Sequence, residues 1–280
     1  LGPAVLKELK TAGFELIVLT RSSDKQFAVP VQTQVVDYSS VWSLTRALQG
    51  QDALVITLGA AGLDPHLNVV NAAVAAGVKR IIPSEFGTDT TNPKAAALPV
   101  YRDKVAIQKR LKEIAASSET SYTLILNGPF LDWGLKVGFL LNLASDEPEL
   151  YDGGSQLVSA TTLSGVGKAV VGVLKNLDAT RNKTVYVSSA GVSQMELLRM
   201  AGKQGSYKVV STEDLEKAAF AELQKPNPNI PLFAGNMVRR AIFGEGYGGY
   251  FPPERLWNDA LGVPTLSKEE VRDIVSKYSS

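Results

Sequence analysis

The first half of the chain alternates short apolar runs with stretches in which apolar residues recur at helical spacing. The apolar runs predict buried strands at residues 15–20, 53–57, 78–83 and 122–126, and a weaker alternating run predicts another at 31–36. The helical spacing predicts helices at residues 4–12, 40–48, 67–76, 100–116 and 162–174. Because helices separate strands that are apolar on both faces, the pattern indicates a parallel sheet covered on both sides.

This alternation predicts an α/β fold, a doubly wound parallel sheet with right-handed crossovers of the NAD(P)-binding Rossmann type. Such a sheet usually begins with a strand and a glycine-rich turn ahead of its first helix, whereas this sequence opens on the helix. The first strand and its turn are therefore predicted to be missing, and Gly2 is interpreted as the last glycine of that turn. The alternative is that Gly2 is a flexible terminal residue.

The regular alternation ends near residue 127, after which turn-forming residues become frequent. Residues 1–150 are predicted to form the dinucleotide-binding domain, with a contribution from about 155–190 that includes a strand extending the sheet. Residues 191–280, with about 128–154, are predicted to form a smaller, mostly helical substrate-binding domain.

Composition excludes several kinds of chemistry. The 280 residues include no cysteine and one histidine, His66, which excludes disulfides and thiolate nucleophiles and argues against a Ser-His-Asp triad or a multi-histidine metal site. The net charge is +1, from 29 basic and 28 acidic residues, and gives no indication of a nucleic-acid or anionic-membrane partner. No apolar stretch approaches the length of a membrane span, so a cytoplasmic location is predicted.

Arg21 follows the strand predicted at 15–20, where the adenosine ribose reaches the sheet in dinucleotide-binding folds. An acidic residue at this strand end suits NAD, whereas an arginine pairs with the 2′-phosphate of NADP. Ser22 and Lys25 add a hydroxyl group and a second cation, so the segment is predicted to bind NADP(H). Asp37, at the end of the next strand, is either an acceptor for the adenine amino group or a cap of the following helix, shared with Ser39 and Ser40.

Small residues follow the strand predicted at 53–57. Thr57 and Gly59, with Ala60 and Ala61, are predicted to let the backbone approach the nicotinamide-side ribose, although glycine is also common in ordinary turns. His66 comes next, near the start of a helix. It is a candidate proton donor or, alternatively, a capping or surface group.

Residues 83–87, with the sequence PSEFG, follow a predicted strand at the sheet end where these folds bind ligands. Ser84 and Phe86 are predicted to contact the cofactor there. Lys104 lies near the start of the next predicted helix and can point back into the same crevice, the alternative being a solvated surface lysine. Tyr101 is its candidate catalytic partner, because a spacing of three residues places both on one helix face.

These residues resemble those of the NmrA-like branch of the atypical short-chain dehydrogenases, and within it the isoflavone reductase-like and phenylcoumaran benzylic ether reductase-like proteins. The resemblance extends from residue 2 to about 175. It rests on PSEFG at 83–87, YRDKV at 101–105, YTLI at 122–125, NGPF at 127–130 and TTLSGVG at 161–167. The stretch FLDWGL at 130–135 is more similar to fungal than to plant members. Only Gly2 represents the glycine-rich turn of the family.

The resemblance implies NADPH as the hydride donor. Arg21 would hold the 2′-phosphate, Phe86 would pack near the nicotinamide, and Lys104 would contact the nicotinamide ribose and assist proton movement. Tyr101 departs from the Tyr-x-x-x-Lys spacing of typical short-chain dehydrogenases. The junction between cofactor and substrate would be lined by Asn127, Pro129 and Phe130.

The resemblance is compatible with two functions. One is an NADPH-dependent reductase of a small aromatic or phenolic compound, and the other is a non-catalytic NAD(P)-sensing regulator that acts through protein contacts. Lys104 and the intact 83–87 segment favour the enzyme, because such sensors commonly lack the lysine. Aromatic residues of the tail, such as Phe243 and Phe251, either wall an aromatic pocket or belong to the core. A homodimer, and a protein partner in the case of the sensor, are left open.

Overall fold

The computed structural model describes residues 1–59, 62–203 and 205–279. The strands are β1 (Ile17–Thr20), β2 (Gln32–Val35), β3 (Ala53–Val55), β4 (Arg80–Ile82), β5 (Ser121–Leu126), β6 (Glu149–Tyr151), β7 (Val158–Ala160), β8 (Lys183–Tyr186), β9 (Ala190–Val192) and β10 (Lys208–Val210). The helices are α1 (Gly2–Thr11), α2 (Val41–Leu48), α3 (Leu63–Ala75), α4 (Pro93–Ala96), α5 (Arg102–Ser117), α6 (Leu131–Lys136), α7 (Leu163–Lys175), α8 (Gln194–Met200), α9 (Thr212–Leu223), α10 (Ile230–Phe243), α11 (Asn258–Leu261) and α12 (Lys268–Ser276). Short 3-10 helices cover Pro99–Tyr101 and Pro253–Arg255.

Strands β1 to β5 and β8 form two parallel sheets. One contains β1 and β2, and the other has the order β3–β4–β5–β8. The pairing of β8 with β5 confirms that the later strand extends the sheet, and the doubly wound α/β fold is confirmed. No strand in the described part of the chain pairs with both β1 and β3, so backbone hydrogen bonds do not join the two sheets.

Helices cover both faces of the four-stranded sheet. Neighbouring residues of a strand point to opposite faces, so they pack against different helices. Ile81 packs in a buried cluster with residues of α2, α3 and α5, whereas Ile82 packs in another with residues of α1 and α7. Helices α1 and α7 approach closely at Gly167, where a Cβ would lie 2.6 Å from Cγ of Glu8 and 3.1 Å from the carbonyl oxygen of Ala4. A larger residue at this position would separate the two helices.

A further hydrophobic cluster joins α6, α8, the end of α10 and α12 with β6, β7 and β9. Here β6 pairs with β10 in parallel and β7 with β9 antiparallel. The chain after residue 127 therefore also contains two short sheets, whose three-residue strands are too short for a periodic signal. Phe243 and Phe251 are buried, which favours the core interpretation of the tail aromatics. The division into two domains stays a prediction.

No helix in the described ranges is both long and apolar enough to cross a membrane.

Candidate active site

The loop that follows β4, at the carboxyl end of the sheet, has a constrained backbone. The Ser84 hydroxyl donates to the carbonyl oxygen of Leu58 at 2.7 Å, which ties the loop to the segment after β3. Phe86 is buried and packs in the same cluster as Ile82 and Ile125. Its φ of +27° is unusual for a residue with a side chain and costs on the order of 1–3 kcal/mol. The surrounding contacts hold the loop in this conformation.

Lys104 lies in the first turn of α5, and its side chain reaches this loop. Its Nζ donates to the carbonyl oxygen of Glu85 and lies 3.9 Å from the place that a Cβ on Gly87 would occupy. Burial lowers the pKa of Lys104, and the Glu85 carboxylate opposes that shift. A lysine with a lowered pKa exchanges its proton closer to neutral pH, so this ammonium group suits general acid–base chemistry.

Glu85 belongs to the site, although the sequence interpretation did not single it out. Its side chain is buried, and Oε2 accepts a hydrogen bond from the Thr90 hydroxyl at 2.8 Å. The Thr90 oxygen in turn accepts from Nε2 of Gln108 at 2.7 Å. These buried hydrogen bonds hold Glu85 in place, and the Glu85 carbonyl accepts a hydrogen bond from Lys104. Its only signal in the sequence was an acidic residue between Ser84 and Phe86.

Tyr101 lies just outside α5, although its ring stays beside Lys104. Tyr101 ends the 3-10 turn before α5, and its buried hydroxyl donates to Oγ1 of Thr88 at 2.9 Å. Burial raises the pKa of Tyr101 well above its ordinary value, which opposes a role as a proton donor. Lys104 Nζ lies 5.8 Å from the ring centroid, so Tyr101 packs beside the lysine, and its catalytic role stays a prediction.

Residues 127–130 follow β5 and lie against the same loop. The backbone N–H groups of Asn127 and Gly128 donate to the Gly87 carbonyl oxygen at 3.2 and 2.9 Å. At Gly128, φ is +61° and a Cβ would lie 1.8 Å from the Ser159 carbonyl oxygen, so only glycine fits. Oδ1 of Asn127 is buried and finds no donor among the described residues. A bound ligand with an N–H or O–H group would satisfy it.

Aromatic residues continue outward from this segment. Pro129 is buried, whereas Phe130 is partly exposed. The Phe130 ring meets Trp133 edge-on, with ring centroids 6.3 Å apart. Trp133 is 45% exposed, so an aromatic surface borders the Asn127 segment on its open side.

Arg21 lies just after β1, beside an open cavity of about 500 Å³ that it lines with residues 35–39. Its guanidinium carbon lies 5.9 Å from the ring centroid of Tyr38. The Tyr38 hydroxyl donates to the Leu19 carbonyl oxygen at 3.1 Å, which fixes the ring against β1. The exposed guanidinium is free to meet a phosphate. The sequence interpretation missed Tyr38, because a tyrosine after a strand carries no distinctive signal.

Asp37 and Ser39 also line this cavity, whereas Ser22 and Lys25 do not. The Asp37 carboxylate accepts from the backbone N–H and hydroxyl of Ser39 at 2.8 and 2.6 Å. Ser40, not Asp37, caps α2, so Asp37 forms a local turn. Ser22 and Lys25 are exposed, and their proposed phosphate contacts stay predictions.

The remaining predicted residues lie near the ends of β3 and α3. A Cβ on Gly2 would lie 3.2 Å from Oγ1 of Thr57, so α1 begins in close contact with the end of β3. Gly59 is exposed, and Ala60 and Ala61 lie outside the described residues. His66 remains a candidate proton donor, and its Nδ1 lies 2.8 Å from the carbonyl oxygen of Gly62. The contact is local to the start of α3, which has no side-chain cap, so the capping alternative is not supported.

The predicted site residues thus fall into two groups at the carboxyl ends of strands. Lys104, Ser84 and Phe86 gather with Asn127 after β4 and β5, and Arg21 lies with Asp37 after β1 and β2. In the described residues no three His, Asp or Glu side chains are grouped so that they could hold a metal ion.

Comparison with known proteins agrees with this arrangement. A family model described as NAD(P)H-binding matches residues 1–176. Oxidoreductase poxI of Penicillium oxalicum is 32% identical over 237 residues, which cover 80% of this chain and 74% of that protein. A bifunctional pinoresinol-lariciresinol reductase of Linum perenne is 30% identical over 240 residues, covering 80% of this chain and 70% of that protein.

The fold is also found in solved structures. The structure of AtPrR2 with NADP+ and (+)-pinoresinol superimposes with a TM-score of 0.79 at 20% sequence identity, covering 99% of this chain and 95% of that one. Together with the sequence relatives, this match confirms the resemblance to isoflavone reductase-like proteins that residues 83–87 and Lys104 predicted.

Proposed function

The chain belongs to the NAD(P)H-binding family, and on that premise we propose that it is an NADPH-dependent reductase of a small aromatic compound. The observation that carries the proposal is Lys104, whose ammonium group has a lowered pKa and is held at the Glu85 carbonyl. It lies beside the ends of β4 and β5, where parallel α/β sheets bind ligands. The Linum perenne relative is a pinoresinol-lariciresinol reductase, which supports an aromatic substrate.

The residues present fit NADP(H). Arg21, rather than an acidic residue, directly follows β1 and would hold the 2′-phosphate, with the Tyr38 ring beside it. The buried Oδ1 of Asn127, which has no donor within the described residues, would accept a hydrogen bond from the cofactor or substrate. When bound, NADPH supplies the hydride for the reduction.

The chain's own residues then supply positioning and a proton. Reduction of a quinone or carbonyl adds one hydride and one proton, and the Lys104 ammonium would donate that proton to the substrate oxygen. The Glu85 carbonyl orients Nζ, and the buried Glu85–Thr90–Gln108 chain keeps that carbonyl in place. Phe86, buried beneath the loop, excludes water from this side of the site.

The test is a reductase assay with NADPH and a panel of quinones and aromatic carbonyl compounds, followed at the nicotinamide absorbance. We expect turnover of at least one panel member, with NADPH preferred to NADH. If NADPH binds, no panel member is reduced, and NADPH changes the affinity for a protein partner, the sensor is the correct function.

The lowered pKa of Lys104 leads to a pH prediction. Because the ammonium is the proton donor, kcat/KM should fall as pH rises through the pKa of Lys104, which lies below its ordinary value of 10.5. The Lys104→Arg variant keeps its charge to much higher pH, so its residual activity should lose this alkaline decline. Identical pH profiles of kcat/KM for the two proteins would contradict the assignment.

A further inference from the structure

Three aromatic side chains extend from the candidate active site, and we call Phe130, Trp133 and Phe139 the aromatic ladder. Phe130 follows the segment whose N–H groups donate to Gly87. Its ring lies 6.3 Å from the Trp133 ring, which lies 6.5 Å from the Phe139 ring, measured between centroids. Trp133 is 45% exposed, so the ladder presents aromatic surface to a ligand beside the site.

The ladder ends at the guanidinium of Arg239 on α10. The Arg239 Cζ lies 4.6 Å from the Phe139 ring centroid and 5.6 Å from that of Tyr151. Within the described ranges, Arg239 has no carboxylate within 4.0 Å, and its Nε is buried without an acceptor. The adjacent Arg240 differs, because it pairs with Glu213 at 3.6 Å and with Glu216 at 3.0 Å.

The residues around Arg239 accommodate its guanidinium group but do not neutralise its charge. Gly235 precedes it by one helical turn, and a Cβ there would lie 3.2 Å from Nη1 of Arg239. The Tyr151 hydroxyl lies 3.5 Å from Oε2 of Glu149, but Glu149 already pairs with Lys208 at 3.4 Å. A partly buried cation without a counter-ion is unfavourable, and an anionic ligand would relieve that cost.

We propose that Arg239 determines substrate specificity by binding an anionic group of an aromatic substrate whose ring lies against Trp133 and Phe139. The inference rests on the proposed reductase function and names its substrate class. The Arg239 guanidinium lies over the Phe139 ring and beside Tyr151, and its terminal N–H groups are suitable donors for a carboxylate, sulfonate or phenolate oxygen. The ladder would then direct the rest of the substrate toward Phe130 and the segment that follows β5.

The test compares 1,4-naphthoquinone with its 2-sulfonate, which share the quinone ring system and differ by the anionic group. Arg239→Met should lower kcat/KM for the sulfonate by about tenfold to a hundredfold, the loss expected for a hydrogen bond to a charged group. The value for the neutral quinone should change by less than about threefold. Arg239→Lys should recover part of the loss. Arg272→Met, at an exposed arginine on α12, is the matched control and should leave both values unchanged.

A binding measurement separates this inference from the proposed function. The sulfonate should quench tryptophan fluorescence of the wild-type chain, with the quenching lost in Trp133→Phe and its Kd raised about tenfold or more in Arg239→Met. If neither quinone is reduced but this pattern is seen, the reductase proposal fails and the anion site stands. Equal losses for both quinones, or unchanged sulfonate binding in Arg239→Met, would overturn the anion site and leave Arg239 as a stacking residue.

Discussion

Replacing Lys104 with methionine should lower kcat by about 10²–10⁴, the span for a general acid–base group. Methionine keeps the apolar stem of lysine but removes the ammonium that donates to the Glu85 carbonyl. The Kd for NADPH should rise much less than kcat falls, because Lys104 is expected to contact only the nicotinamide ribose, whereas the 2′-phosphate contact lies at Arg21. Steady-state kinetics on the best panel substrate and calorimetric titration of NADPH measure the two quantities separately.

Lys109→Met is the matched control, since Lys109 is exposed on the same helix. It should retain wild-type kcat and change the free energy of unfolding by less than about 0.5 kcal/mol. If Lys104→Met also retains wild-type kcat, Lys104 is a structural lysine. His66 then becomes the next candidate proton donor, despite its contact with the Gly62 carbonyl.

Replacing Arg21 with alanine should weaken NADPH binding about tenfold to a hundredfold and leave NADH binding nearly unchanged. The loss corresponds to about 1.5–3 kcal/mol, the value of hydrogen bonds to a charged group. NADH lacks the 2′-phosphate, so it makes no contact for the substitution to remove. Calorimetric titration of both cofactors against both proteins gives the comparison.

Arg46→Ala is the control for this prediction. Arg46 is an exposed arginine whose guanidinium carbon lies 4.7 Å from the ring centroid of Trp42, much as Arg21 lies over Tyr38. It does not line the cavity beside Arg21, so its removal should affect neither cofactor. Equal losses of NADPH and NADH affinity in Arg21→Ala would show that Arg21 holds the fold and not the phosphate.

The alternation of buried strands and helices was readable from the sequence, because burial on both faces of a parallel strand leaves a continuous apolar run in one short segment. Strands β3 and β4 lie inside predicted runs, and β5 begins one residue before its run. Strands β6 and β10 left no such run. They are three residues each, and their partners are distant in the chain.

Lys104 could be placed near the 83–87 loop from the sequence, because the carboxyl end of a strand and the first turn of the next helix meet in a crossover. Tyr101 shows the limit of that reasoning. The periodicity placed Tyr101 inside the helix at 100–116, but it ends a 3-10 turn before α5 and its hydroxyl bonds to Thr88. A local spacing does not specify which buried partner a side chain finds.

The sequence by itself determined the α/β fold, the family, and the strand ends at which Arg21 and Lys104 lie, because these depend on local periodicity and short motifs. Only the tertiary structure decided that Lys104 donates a hydrogen bond to the Glu85 carbonyl. It also decided that the Oδ1 of Asn127 has no donor among the described residues, and that the Arg239 guanidinium lies over the Phe139 ring. Those features depend on packing between segments distant in sequence, where side-chain geometry and burial determine each contact.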